Sequence, residues 1–165
     1  MPRRISHDAS YPCSPAELHA ALTDPAYWRA RVDAVGGPGA TLDDVRPLDG
    51  GVEVALTQKV AAEHLPSIVS KIVSGDLSIA RTEAWGPLEG SSATGRTTAQ
   101  VASTPAFVGS TAELSGDSDG CTVCTRGEVK VSVPLIGGRL EQAVSDAVLR
   151  LLQAEQKFTA SWVRH

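Results

Sequence analysis

Aromatic side chains make up only 4% of this 165-residue chain, Met occurs once, and Asn is absent. The lack of Asn, with four Lys against eleven Arg, reads as the coding bias of a GC-rich genome and carries no mechanism. No stretch approaches the roughly 18–20 apolar residues that a membrane-spanning helix needs. Polar residues after Arg3-Arg4 leave no apolar core for a secretory signal. Cysteine is limited to Cys13, Cys121 and Cys124, an odd number that argues against a disulfide framework and for a reducing, cytoplasmic compartment. Positive charge is in deficit, 15 basic against 19 acidic residues, and the basic residues are scattered. Binding to nucleic acid through many phosphates is therefore not expected. Internal repeats, low-complexity tracts and linkers are lacking. What remains is a length that suits one domain with a sizeable core, 42% of it hydrophobic and rich in small Ala, Gly and Val. Small side chains either pack densely or line a space left open.

Along the chain the apolar period changes in a definite order. Residues 3–11 alternate, with Ile5, His7, Ala9 and Tyr11 on one face, as a half-buried strand does. Ser14-Pro15-Ala16-Glu17 is a capping-box pattern that predicts a helix over about 15–22, and Asp24-Pro25 starts a second that ends before Gly36-Gly37-Pro38-Gly39. Strands are expected over 40–47 and 52–60, joined at Asp49-Gly50-Gly51. Leu65, Ile68, Val69, Ile72 and Val73 have helical spacing and predict a short helix over 65–73, a lid or a plug. Further strands follow over 77–85, about 92–103, 107–115 and beyond the turn at 116–120. In the last, Val123, Val129, Val131 and Val133 share a face. After Gly137-Gly138, Leu140, Val144, Ala147, Val148, Leu151, Phe158 and Trp162 form the stripe of one long helix.

Few constellations carry chemistry. Cys121 and Cys124 have CxxC spacing, but in a strand positions i and i+3 point to opposite faces, and no second Cys/His pair completes a zinc site. No metal or cofactor is expected. HExxH and GxSxG are absent. His19, His64 and His165 read as structural or solvated. His7 differs because it shares an apolar strand face, as a core residue or a ligand contact. Arg81 and Glu83 lie on the face of Leu77, Ile79 and Trp85. Inward charges must be paired, with each other or with Gln58, unless a bulge or an edge returns them to water. Paired, they would form a polar anchor in an apolar pocket.

The order β, two short helices, a meander of about six strands and a long C-terminal helix is an α+β layer solution: a curved antiparallel sheet of about seven strands around a long C-terminal helix. It resembles the helix-grip arrangement of the START-like superfamily, which also holds the birch-pollen allergen, polyketide cyclase and coenzyme Q-binding families. More closely, the chain resembles an actinobacterial family catalogued as a domain of unknown function (DUF2505). The residues that carry this are Tyr11-Pro12, Asp24-Pro25-Ala26-Tyr27-Trp28, Gly36-Gly37, Leu65-Pro66, Gly75-Asp76-Leu77, Arg81-Thr82-Glu83-Ala84-Trp85 and Val133-Pro134-Leu135-Ile136-Gly137-Gly138-Arg139-Leu140-Glu141. The resemblance implies a single START-like domain over residues 1–165 and a cavity between sheet and long helix, with no catalytic residues to carry over.

The leading expectation is a protein that binds an apolar small molecule, lipid or polyketide-like, without catalysing a reaction. Its candidate contacts are His7, Trp28, Gln58, Arg81, Glu83, Trp85, Phe107 and Thr125. One alternative is a cyclase- or hydrolase-like enzyme in the same cavity, with His7 or Glu83 as acid or base. Another is an interaction module with a packed interior. Oligomeric state is left open.

Overall fold

Capping chemistry starts the first two helices where the sequence marks them. At the head of α1 (Pro15–Leu22) the Ser14 hydroxyl accepts from the Glu17 amide at 3.2 Å, and Glu17 Oε1 accepts from the Ser14 amide at 3.3 Å. At the head of α2 (Pro25–Val35) Asp24 Oδ1 accepts from the Ala26 amide at 2.9 Å. The computed structural model describes residues 2–60, 62–64, 67–70, 75–102 and 104–164.

The strands are β1 (Arg3–Tyr11), β2 (Thr41–Leu48), β3 (Gly51–Val60), β4 (Leu77–Trp85), β5 (Ala93–Val101), β6 (Ala106–Asp117) and β7 (Gly120–Val131). They form one seven-stranded sheet in the order β1-β7-β6-β5-β4-β3-β2, antiparallel throughout. The chain therefore runs as a meander from β2 to β7 and closes back on β1, and α1 and α2 carry it from one sheet edge to the other. β7 stops at Val131, so Val133, grouped by sequence with its valines, already lies in the connection to the last helix. Of the helix expected over 65–73, α3 (Ser67–Ser70) is described, with Ile68 and Val69 half-buried. Leu65, Pro66, Ile72, Val73 and His165, with the His64 side chain, lie outside the described residues.

The long helix α4 (Gly137–Val163) has 27 residues and is about 40 Å long. It packs on β1, β7, α1 and α2. Its buried positions are Leu140, Glu141, Ser145, Glu155 and Thr159, while the aliphatic Val144, Val148 and Leu151 of the expected stripe are only half-buried. Polar groups on a buried helix face need partners. Glu141 meets this by accepting from the Val131 amide at 2.9 Å, which ties the start of α4 to the end of β7.

The apolar interior falls into two clusters. One gathers Tyr27, Trp28, Leu18, Val52, Val54, Trp85 and Leu114 beneath α1, α2 and the end of α4; the other gathers Ile5, Val129, Val131 and Leu140 at the start of α4. Tyr27, Trp28, Phe158 and Trp162 pack ring on ring, with centroids 5.2 Å apart for Tyr27–Trp28 and 5.8 Å for Tyr27–Trp162. The bulky residues are thus concentrated at one end, and small ones hold the middle of the sheet.

At one position in that middle a side chain would crowd a ring. The Trp85 indole lies over Gly95, its partner in the β4–β5 register, and a Cβ at Gly95 would stand 2.8 Å from the Trp85 ring. Gly95→Ala is expected to lower stability by about 1–3 kcal/mol through overpacking, read as a lowered urea midpoint with unchanged slope. A midpoint equal to wild type would mean that the indole moves aside freely.

Candidate functional site

Cross-strand register builds the inner wall row by row. His7, Thr125, Ala112, Gly95, Trp85 and Val52 form one row across the sheet; Ile5, Gly127, Ser110, Thr97, Glu83 and Val54 form the next; Val129, Val108, Ala99, Arg81 and Leu56 form a third. The central strands β5, β6 and β7 thus present Gly, Ala, Ser, Thr and Val. Between this wall and Ala143, Val144, Ala147, Val148, Leu151, Leu152 and Glu155 of α4 lies a pocket of about 510 Å³. Side chains facing it, such as Val148 and Leu151, stay partly accessible for that reason.

At the aromatic end β4, α2 and α4 bring four buried charges together. Arg81 donates from Nη1 to Glu155 Oε2 at 2.7 Å, and from Nη2 to Glu83 Oε1 at 2.7 Å and Glu155 Oε1 at 3.0 Å. Arg31 Nη2 donates to Glu83 Oε1 at 3.1 Å and to Glu155 Oε2 at 2.9 Å. The Arg31 guanidinium also lies over the Trp28 ring, 4.5 Å from its centroid. Thr159 spends its hydroxyl proton on the Glu155 carbonyl at 2.8 Å, so at 2.7 Å it accepts from the Tyr27 hydroxyl. Two cations and two anions leave the quartet neutral. Burial alone would raise the Glu83 carboxyl, but Arg31 and Arg81 outweigh it and hold the group at about 2. Both guanidiniums are pushed the other way: against burial, Glu155 and Glu83 raise them above their ordinary value. The Tyr27 hydroxyl is raised by burial.

Of the candidate contacts, His7, Gln58, Arg81, Glu83, Trp85 and Thr125 line the pocket. His7 stands opposite Thr125 in the register, and its Nε2 is buried without a hydrogen-bond partner. Gln58 is buried but takes no part in the quartet. Trp28 does not reach the pocket. It is fully buried beneath Arg31, and its Nε1 donates to the Leu22 carbonyl at 2.8 Å. Phe107 is on the wrong face. The inner positions of β6 are Ala106, Val108, Ser110, Ala112 and Leu114, so Phe107 points outward opposite Lys130 and is 47% exposed. The suggested acid–base residues do not meet: three strands separate His7 on β1 from Glu83 on β4, and the carboxylate of Glu83 is already engaged by two arginines.

Arg31 and Glu155 were missed in the sequence, although both left a signal. Arg31 follows Tyr27 and Trp28 by four and three residues, which puts it on their helical face. Glu155 falls between Leu151 and Phe158 on the apolar stripe of α4, at a spacing where another apolar residue is expected. Elsewhere, His19 is buried and its Nε2 donates to the Gly86 carbonyl at 2.9 Å. Cys121 and Cys124 are divided between the faces as strand geometry requires. Cys121 instead faces Cys13, with sulfurs 3.9 Å apart, and burial pushes its thiol up to about 12. Among the described residues no three of His, Cys, Asp and Glu gather as metal ligands.

Comparison with known proteins places this geometry in a wider group. The profile of the family described as "Protein of unknown function (DUF2505)" matches residues 6–163. An uncharacterized protein of Mycobacterium tuberculosis is 34% identical over 170 residues, covering 99% of this chain and 98% of its own. Among solved structures, the Zhui aromatase/cyclase from Streptomyces sp. R1128 superposes with a TM-score of 0.66 at 8% identity, over 99% of this chain and 94% of that one. Ara h 8.0201 superposes with a TM-score of 0.61 at 12% identity, over 99% and 98%. These likenesses fix the fold as helix-grip, START-like.

Two outcomes test the quartet. Glu155→Gln leaves two guanidiniums short of a counter-charge and is expected to cost about 3–5 kcal/mol in chemical denaturation; a loss below 1 kcal/mol would mean that water already screens the cluster. The second is pH. A carboxyl held below its unfolded value stabilises the fold fully above that value. For Glu83 this contribution is lost as pH falls from 4.5 to about 2. Acid titration followed by Trp fluorescence is expected to show the loss in that window, and Glu83→Gln to flatten it.

Proposed function

The chain belongs to the DUF2505 family and has the START-like helix-grip fold, and from its pocket we propose that it binds an apolar small molecule, lipid or polyketide-like, between the sheet and α4. The observation that carries this reading is the pocket of about 510 Å³ lined mainly by Ala, Val, Leu and Ile side chains. Its volume lies within the range of about 300–1,000 Å³ in which drug-sized ligands are held. The few polar groups fit the same reading. His7 Nε2 is an unpaired hydrogen-bonding atom on the wall, and it can fix the orientation of a hydroxyl or carbonyl on the guest. The charged groups at the deep end are mutually neutralised and demand no ionic partner.

An enzyme built on Glu83 gains no support. A general acid must carry a proton near working pH, whereas this carboxyl is held at about 2. An interaction module with a filled interior is disfavoured by the open volume. Three free thiols, Cys13, Cys121 and Cys124, support a reducing, cytoplasmic setting. No helix among the described residues is long and apolar enough to cross a membrane.

The test is direct binding of N-phenyl-1-naphthylamine, an uncharged apolar fluorophore that brightens when it leaves water. Saturable binding to the wild type is expected. Ala112→Trp from the sheet and Val148→Trp from α4, which fill the same space from opposite walls, are each expected to weaken it at least about tenfold while the fold persists by circular dichroism. Equal binding by both variants would remove the pocket from the explanation.

A further inference from the structure

The two sides of the pocket differ in chemistry. From α4 it receives mainly aliphatic side chains, Val144, Val148 and Leu151 among them. From the central strands it receives hydroxyls. Thr97 on β5, Ser110 on β6 and Thr125 on β7 take inward positions of their strands and line the pocket. All three are half-buried, and none of these hydroxyls hydrogen-bonds to another group among the described residues. Thr97 and Ser110 are partners in the β5–β6 register, so their Cβ atoms stand about 4.5–5.5 Å apart. Ser110 is opposite Gly127, two residues after Thr125, which makes Thr125 its diagonal neighbour, about 7–8 Å away. The hydroxyls therefore form a triangle spread over three strands.

A half-buried hydroxyl without a protein partner needs one from elsewhere. Water serves while the pocket is open. A guest that displaces this water must replace its hydrogen bonds, because bare buried polar groups are costly. An acyl chain carries its oxygens at one end, and its methylenes would cover the other hydroxyls. A ring system with oxygens on several carbons reaches more than one of them. Thr97 and Thr125 are β-branched and have few rotamers to lose, so their hydroxyls are held ready. Two further uncharged groups line the pocket, the Gln58 amide and the Tyr11 hydroxyl, and neither has a hydrogen-bond partner among the described residues. No charge on the guest is called for, since Arg31, Arg81, Glu83 and Glu155 already neutralise one another.

Resting on the binding reading above and narrowing it, we propose that the ligand is an uncharged ring compound bearing several hydroxyl or carbonyl oxygens. Its oxygens meet Thr97, Ser110 and Thr125 on the sheet, and its apolar side lies against α4.

Competition against N-phenyl-1-naphthylamine with three uncharged probes tests this: dihydroresveratrol (bibenzyl with three phenolic hydroxyls), bibenzyl itself and dodecanol. Dihydroresveratrol is expected to displace the dye at about tenfold lower concentration than either of the others, the gain that two net hydrogen bonds supply. This order runs against apolar character, since bibenzyl is the less water-soluble of the two ring compounds. Thr97→Val, Ser110→Ala and Thr125→Val together remove the hydroxyls at nearly constant shape. They should bring dihydroresveratrol to within about twofold of bibenzyl, with each competition referred to the dye's own dissociation constant in that variant. If the triple variant does not fold by circular dichroism, each single variant is expected to lose about twofold of the preference. Bibenzyl or dodecanol displacing the dye as well as dihydroresveratrol, or a preference that survives the substitutions, overturns this inference while the apolar pocket stands. Failure of the dye itself to bind the wild type overturns the pocket reading, and this inference with it.

Discussion

Four side chains from three elements, Arg31, Arg81, Glu83 and Glu155, meet in a space that water does not reach, and the placement of α2 and α4 on the sheet depends on that meeting. Taking any one of these charges out of water alone would cost several kcal/mol. Together they are neutral, each guanidinium bonded to both carboxylates. The geometry is demanding: a shift of α4 by one turn would carry Glu155 away from Arg81 and leave buried charges unpaired. Packing of aliphatic side chains tolerates sliding far better. The quartet thus specifies how the long helix is seated, whatever its net contribution to stability.

Fixing α4 at its C-terminal half leaves the middle of the sheet uncovered by bulk. The aromatic rings of Tyr27, Trp28, Phe158 and Trp162 crowd around the quartet, and Ile5, Val129 and Leu140 close the far end. Between these two plugs the strands carry Ala99, Ser110, Ala112 and Thr125, too short to touch α4, and the pocket is what they leave. The scarcity of aromatics in the chain and the open interior are one fact seen at two scales.

Much of the architecture was legible in the chain, because the signals that place elements are local. The capping box at Ser14-Glu17, the Asp24-Pro25 start and the turn at 116–120 each act within a few residues, and alternation assigned Ile5, His7, Ala9 and Tyr11 to one face. The same alternation marked Arg81 and Glu83 as inward charges. It could not name their partners: Arg31 and Glu155 are 124 residues apart, and nothing local links them. Phe107 failed for the opposite reason. The strand around it is Thr-, Ala- and Ser-rich with weak contrast, so the choice of face was free by one residue, and pairing with β5 and β7 decided it. The polar face of α4 was hidden in the same way, since Glu155 interrupts an apolar stripe for a reason that lies on other elements.

The seam between β1 and β7 has a further consequence, one of timing. All other strand pairs join neighbours in sequence, but Ser10 and Thr122, whose hydroxyls stand 3.4 Å apart across this seam, are separated by 112 residues. Bringing them together closes the longest loop in the sheet and carries the largest entropic penalty of any ladder. The hairpins from β2 to β7 can each form from local contacts, whereas β1, with the row that holds His7, has no place to dock until the final strand exists. Contact order therefore ranks this seam among the last to form, and the wall of the pocket is completed only when the first strand made finds the last.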